Sequence, residues 1–167
     1  MAKMMSPNTT IWWVPLGGIV NIDAVTDAEL TAGINISAAI VTGYTLGATD
    51  SDTDDSKTIV DEGNVSTPTF GNYEGSLSIF RDGVGDTPTV FTTAYNLFKA
   101  GRVEGYLVSR QGYKATAPVE AGQLYSAYHF VSDFQQDIEG DGGAPIQATI
   151  PFRPQGNMAI NKPVVAA

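Results

Sequence analysis

"FGNYEGSLSIFRDG", residues 70–83, alternates with a period of two. Tyr73, Leu77 and Ile79 point one way; Asn72, Glu74, Ser76 and Ser78 point the other. That is the pattern of a β-strand with one buried and one wet face. Asp82-Gly83 ends it as a turn. A strand whose outer face stays polar along its length needs solvent, or a water-filled space, on that side.

The neighbouring segments read as more of the same sheet. "TIWWVPLGG" (10–18) opens as a short apolar strand, Ile11 to Val14, stopped by Pro15 and Gly17-Gly18. "TDAELTAG" (26–33) has a capping residue, Glu29 and a closing Gly33, which predicts one short helical turn. "INISAAIVTG" (34–43) reads as a strand ending at Gly43, and "KTIVDEG" (57–63) as room for another short one. "GDTPTVFTTAYNLFKAG" (85–101) predicts a helix over 88–100, with Thr87 capping, Pro88 in the first turn and Gly101 after the end. Phe91, Ala94, Tyr95 and Phe98 share one face of it, with Val90 and Leu97 at the edges, a stripe that packs on a sheet.

"RVEGYLVSRQG" (102–112) is a strand and turn. "GQLYSAYHFVSDFQQDIEGDGG" (122–143) is a long strand with Leu124, Tyr128, Phe130 and Phe134 on one face. Its other face runs from Tyr125 through His129 to Asp133, Gln135 and Asp137. "PIQATIPFRP" (145–154) puts Ile146, Ala148, Ile150 and Phe152 inward, and "QGNMAINKPVVAA" (155–167) is an apolar tail without a regular pattern. The expectation is a mainly β fold: one domain over 1–167, a β-sandwich or closed sheet of about seven or more strands with a flanking helix.

Composition narrows the function. Charged residues make up 16% of 167, below the usual quarter, so much surface is neutral, as suits a subunit packed among neighbours. A net charge of −9 opposes any grip that works by neutralising phosphates, while leaving nucleic acid free to slide past. Without cysteine there is no disulfide frame or thiolate metal site, and one histidine excludes paired-His metal motifs. "MAKMMSPNTT" lacks the apolar core of a signal peptide, and no apolar run reaches membrane-spanning length, so a cytoplasmic origin is expected.

"GATDSDTDDSKTIVDEG" (47–63) gathers Asp50, Asp52, Asp54, Asp55, Asp61 and Glu62 around Lys57. Counted as a calcium loop from Asp50, it has Asp55 where the template has glycine and Asp61 where it has a bidentate glutamate. Its flanks do not continue as helices. A long polar loop kept soluble by its own charge is the better reading.

No constellation for catalysis stands out. His129 lies in a strand with no local nucleophile or orienting acid, and reads as a packed or interface histidine. Asp133, Asp137 and Glu139 read as a strand leaving for solvent, and "DGVGD" lacks the lysine of a phosphate loop. Trp12 and Trp13 leave open a sugar-stacking platform, and with it a carbohydrate-binding or adhesin-like sandwich as the alternative function; a calcium-dependent module is a third class. The expectation is no enzyme and no cofactor.

The stretch from "AELTAGINIS" through "YTLGATDSDT" and "DEGN" to "NYEGSLSIFR", followed by a helix and a late aromatic strand, resembles the major tail (tail tube) proteins of long, non-contractile-tailed bacteriophages. The match covers about a third of the chain, and no single residue is diagnostic. The resemblance implies a β-sandwich subunit with a flanking helix, joined in hexameric rings that stack helically around the tape measure protein and conduct the genome into the host. It implies tail terminator and distal tail proteins as further partners, DNA only as passing cargo, and location in the virion tail after assembly in the host cytoplasm. Asn72, Glu74, Ser76 and Ser78, with Asp133, Gln135 and Asp137, become candidates for the lumen wall.

The resemblance also gives the loop at 46–66 a role. It implies that this loop, with Asp50, Asp52, Asp54, Asp55, Lys57, Asp61 and Glu62, reaches a neighbouring subunit or ring. Lys57, or Lys99, Arg102 and Arg110, are candidate partners across the joint. The N-terminal segment and "INKPVVAA" are candidate arms between rings.

Overall fold

The structure, a computed structural model, describes residues 8–167. Ten strands and two helices make up the described chain. The strands are β1 (Thr9–Pro15), β2 (Ile34–Asn35), β3 (Thr45–Thr49), β4 (Thr53–Asp54), β5 (Thr67–Pro68), β6 (Asn72–Phe80), β7 (Glu104–Gln111), β8 (Leu124–Ser132), β9 (Gln136–Ile138) and β10 (Gln147–Pro163). The helices are α1 (Asp27–Ala32) and α2 (Val90–Phe98). Eight strands form one antiparallel sheet in the order β2-β1-β7-β8-β10-β6-β3, with β9 on β10; β4 and β5 pair separately as a small hairpin. The mainly β expectation holds.

The sheet curls, and one segment joins its two edges. Residues 34–36 pair along β1, where the Ile36 amide bonds the Ile11 carbonyl at 3.0 Å. A turn at Ser37–Ala39 then crosses over, and the chain bonds β6 through Ile40–Ile79 and through the Val41 amide to the Ser78 carbonyl at 2.7 Å. It continues as β3 along the same edge of β6. Both exposed edges are thereby blunted by a single stretch. The strand expected over 34–43 is therefore a strap with a turn in it. Ser37 makes the turn, because its hydroxyl accepts the Ile11 amide at 2.8 Å and so replaces a ladder bond.

Each face of the sheet has its own core. Inside the curl, Trp13, Leu107, Phe130, Phe152, Leu77 and Ile79 pack under α2, whose Ala94 and Phe98 are fully buried. Phe98 meets Trp13 and Phe152 edge-on at 5.0 and 5.3 Å. On the outer face Trp12, Val14, Val108, Tyr125 and Ala127 are covered by Leu30 of α1 and by Val164. Trp12 and Trp13 alternate into these two cores at 4% and 0% exposure. Close approach above β7 is possible because Gly105 has no side chain: a Cβ there would lie 2.7 Å from the Trp13 ring.

Several boundaries differ from the sequence reading. α1 forms as expected, with Thr26 and Glu29 in a reciprocal capping box. α2 begins later, capped by Thr89, so Pro88 lies outside it. No strand forms over 57–63. The tail is not irregular: β10 runs to Pro163, Val164 is buried, and Val165 bridges Thr26. "INKPVVAA" thus docks on its own subunit. Most of the expected N-terminal arm lies outside the described residues. Ile146, expected inward, is exposed, and so are Leu124 and Phe134, unlike Tyr128 and Phe130 with which they were grouped on one face.

Candidate assembly surfaces

The polar face read from "NYEGSLSIF" exists and extends over three strands. Cross-strand partners share a face, so Ser76 sits beside Thr45 and Pro151, Ser78 beside Thr149, and Asn72 beside Thr49. Ser78 and Thr149 exchange a hydroxyl bond at 2.8 Å. Glu74 is exposed; Asn72, Ser76 and Ser78 are half-buried. This face is hydroxyl-rich, its charges being Glu74 and the Arg153–Asp133 pair, whereas the opposite side of the same strands is the inner core. The outer core stops short of it.

The second candidate stripe does not stay together. Ser132 lies opposite Phe152 and Gln136 opposite Thr149, so four residues on one strand match three on the other. This bulge reverses which side faces out. Asp133 remains on the polar face, gripped by Arg153 through Nε and Nη2 at 3.2 and 3.1 Å. The Phe134 amide, and then Arg153, hold its carboxyl below the usual range. Gln135 and Asp137 turn to the helix side. Gln135 donates to the Tyr95 carbonyl at 2.7 Å, and Asp137 faces Arg81 at 3.6 Å. Asp133 and the pair Gln135 and Asp137 therefore cannot line one surface.

The helix stripe packs as read. Ala94 and Phe98 are buried, Phe91 is half-buried against Phe80 at 5.9 Å, and Tyr95 lies under the Arg81 guanidinium at 4.2 Å. What the sequence did not reveal is the second anchor of this helix. Asp82 accepts the Thr89 and Thr92 amides at 2.9 and 3.1 Å and both their hydroxyls at 2.8 and 2.6 Å. Those four bonds lower its pKa to about 2.

The acidic loop leaves the sheet between Thr49 and Asn72. Asn72 Nδ2 ties its base to the Asp50 carbonyl and to Asp52 Oδ1 at 3.2 and 2.9 Å. Asp54 accepts the Ser56 amide, Asp61 the Thr58 amide, and Lys57 reaches Asn64 rather than an acid. Asp55 and Glu62 are exposed. Among the described residues no three acidic or histidine side chains are grouped to hold a metal ion. Ile59 and Val60, in the segment with room for a short strand, stand exposed at the tip.

The candidate cationic partners divide. Lys57, Lys99 and Arg102 are exposed. Arg110 is fully buried and spoken for. Its Nη1 donates to the Pro118 carbonyl and Gln123 Oε1 at 2.9 and 2.7 Å. Its Nη2 donates to Thr10 Oγ1 and the Lys114 and Ala117 carbonyls at 3.1, 3.1 and 3.0 Å. Trp12 and Tyr113 lie against the guanidinium at 5.1 and 5.2 Å. It cannot also reach a neighbour. His129 is packed, bonded to Glu104 at 2.9 Å and stacked on Tyr106 at 4.8 Å. The sugar platform fails because both tryptophans are buried. No helix of the described residues is long and apolar enough to cross a membrane.

A family model for phage tail tube proteins matches residues 1–167. Among solved structures, a chain of the anti-feeding prophage (AFP) baseplate, 6-fold symmetrised, is similar with TM-score 0.56 at 16% identity, covering 97% of each chain. The SPP1 tail tube, a hybrid solid-state NMR and cryo-EM structure, is similar with TM-score 0.57 at 10% identity, covering 98% of this chain and 81% of that one. At such identities the likeness is one of fold. No curated protein matches the chain in sequence.

Proposed function

Because the chain belongs to the phage tail tube protein family, we propose that it forms hexameric rings which stack helically into the tube of a long, non-contractile tail and conduct the genome into the host. Its role is structural, not enzymatic. The observation that carries the proposal is the uncovered polar face on β3, β6 and β10, hydroxyl-rich on a subunit of net charge −9. Set around a lumen, Asn72, Glu74, Ser76, Ser78 and Thr149 offer DNA no cation, and Arg153, which shares the face, is held by Asp133. The overall acidity repels phosphate over the first ~10 Å of solvent. Gln135 and Asp137 belong to the helix side and are left out of that wall. Assembly in the host cytoplasm around a tape measure protein, closed by terminator and distal tail proteins, completes the reading.

Negative-stain electron microscopy of the purified, untagged protein at moderate salt is the test. Hollow tubes or six-fold rings are expected. A chain that stays monomeric when concentrated, and is retained on a glycan column or melts later with calcium, would overturn the reading.

A further inference from the structure

The acidic loop ends in an aliphatic pair: Ile59 is 104% and Val60 78% exposed, and the residues around them are exposed too. Single apolar side chains on a surface are ordinary. Two adjacent ones at the tip of an acidic projection, bonded to nothing in their own subunit beyond the loop's local turns, have the form of an anchor with a charged rim.

The same subunit has a receptacle of matching chemistry. Where the strap crosses from β1 to β6, a mostly apolar groove of about 490 Å³ opens, walled by Ile11, Ala38, Ile40, Val41 and Tyr44. Its size lies in the ~300–1,000 Å³ range of sites that enclose a ligand. Lys114 is the one charged residue of its lining, and it is in no ion pair among the described residues.

Projection and receptacle lie at opposite ends of β3. The groove takes Ile40 to Tyr44, just before Thr45; the loop departs after Thr49. At ~3.3 Å per residue, the strand alone separates them by about 15 Å. A projection at one end and its complement at the other generate a head-to-tail contact, which repeats without closing when copies are stacked.

We propose that the Ile59–Val60 tip of one copy seats in the Ile11/Ala38/Tyr44 groove of the next copy, with Lys114 facing Asp61 and Glu62 of the incoming loop. This rests on the tail tube reading and reassigns the joint: the aliphatic pair provides the hold, and the acids provide steering and salt dependence. The expected internal partners of the acids, Arg110 above all, are replaced by Lys114.

The absence of cysteine makes the test clean. The double variant Ile59→Cys/Ala38→Cys, assembled and then oxidised, should give a ladder of covalent oligomers on a non-reducing gel. Each single variant should give none beyond dimer, and the two mixed should give a cross-linked dimer. A faster-running monomer from the double variant would put the loop in its own groove and overturn the proposal. Tubes or rings that form without a ladder would overturn it while leaving the tube reading intact; neither tubes nor ladder would count against both. Lys114→Glu should raise the concentration needed for assembly about tenfold at low salt, because a like charge then faces Asp61 and Glu62. Asp61→Lys/Glu62→Lys in the same chain should restore it, and failure of that rescue would remove the charge pairing.

Discussion

Two parts of this subunit concentrate charge, and they treat it in opposite ways. Around Arg110, one cation is sealed between Trp12 and Tyr113 and donates five hydrogen bonds, none to a carboxylate. In the loop at 46–66, six acids are spread over exposed turns with one lysine, which bonds an asparagine. The first arrangement converts a charge into a fold constraint, since the guanidinium fork fixes where residues 114–118 and Gln123 run. The second leaves the charge for the outside world. Charge invested in a fold and charge reserved for association can be told apart by what happens when each is removed.

The largest effect is expected at the cage. Arg110→Met removes the fork and leaves the Lys114, Ala117 and Pro118 carbonyls, Gln123 and Thr10 without their donor. Loss of a buried charged network typically costs about 3–5 kcal/mol, and the denaturation midpoint should fall accordingly with residues 113–123 becoming protease-sensitive. Arg110→Lys should recover little, because one ammonium cannot span partners set for two nitrogens. A midpoint within ~0.5 kcal/mol of the parent would break the comparison at its strong end.

An intermediate case lies at the start of α2. Asp82 is half-buried, its carboxylate collects four bonds from Thr89 and Thr92, and its pKa is lowered to about 2 from the ordinary 3.8. A depressed folded-state pKa means that the stabilisation is present above pH ~4 and is lost as pH falls through about 2. In an acid titration followed by near-ultraviolet dichroism, Asp82→Asn should remove that part of the pH dependence and loosen the α2 cap already at neutral pH. An unchanged acid profile would reduce Asp82 to an ordinary surface acid.

How far these regions could be read in advance depends on whether their cause is local. The β6 alternation, the α2 stripe and the Thr26/Glu29 capping box are set by residues within a turn or a strand of each other, and all three formed. The strap over 34–43 depends on Ser37 meeting β1, which lies twenty-six residues away in sequence. The period of two in β10 is interrupted between Pro154 and Met158 and again before Lys162. No local pattern survives such shifts, so a paired strand looked like a loose tail. The bulge at 133–135 misled in the same way, carrying Gln135 and Asp137 across the sheet. Arg110 was misplaced because its burial is arranged by backbone carbonyls, to which side-chain patterns are blind. For the assembly surfaces, the polar face was legible and the acidic loop was legible as a projection. The apolar tip was present as "TIV" but looked like a strand.

The smallest effect on the folded subunit is expected in the acidic loop. Asp54→Asn/Asp55→Asn removes two exposed acids, of which Asp54 bonds only Ser56, two residues away. Surface substitutions of this kind stay within about 0.5 kcal/mol, so the subunit should melt with its parent. Millimolar calcium should move neither melt, because no three of the described carboxylates are grouped to hold a metal ion. What should change is association. With fewer like charges the salt needed for assembly falls, since repulsion between exposed charges more than ~10 Å apart is screened by salt and a less acidic loop needs less screening. Deleting residues 51–56 shortens the projection and should, by contrast, weaken the joint while leaving the sheet intact, because β3 stays paired to β6 and Asn72 still holds the Asp50 carbonyl. If assembly and its salt dependence survive that deletion unchanged, the loop is merely solvated and the contrast with the Arg110 cage loses its functional half. If stability falls instead, the loop belongs to the fold, and its acids act more like Asp82 than their exposure suggests.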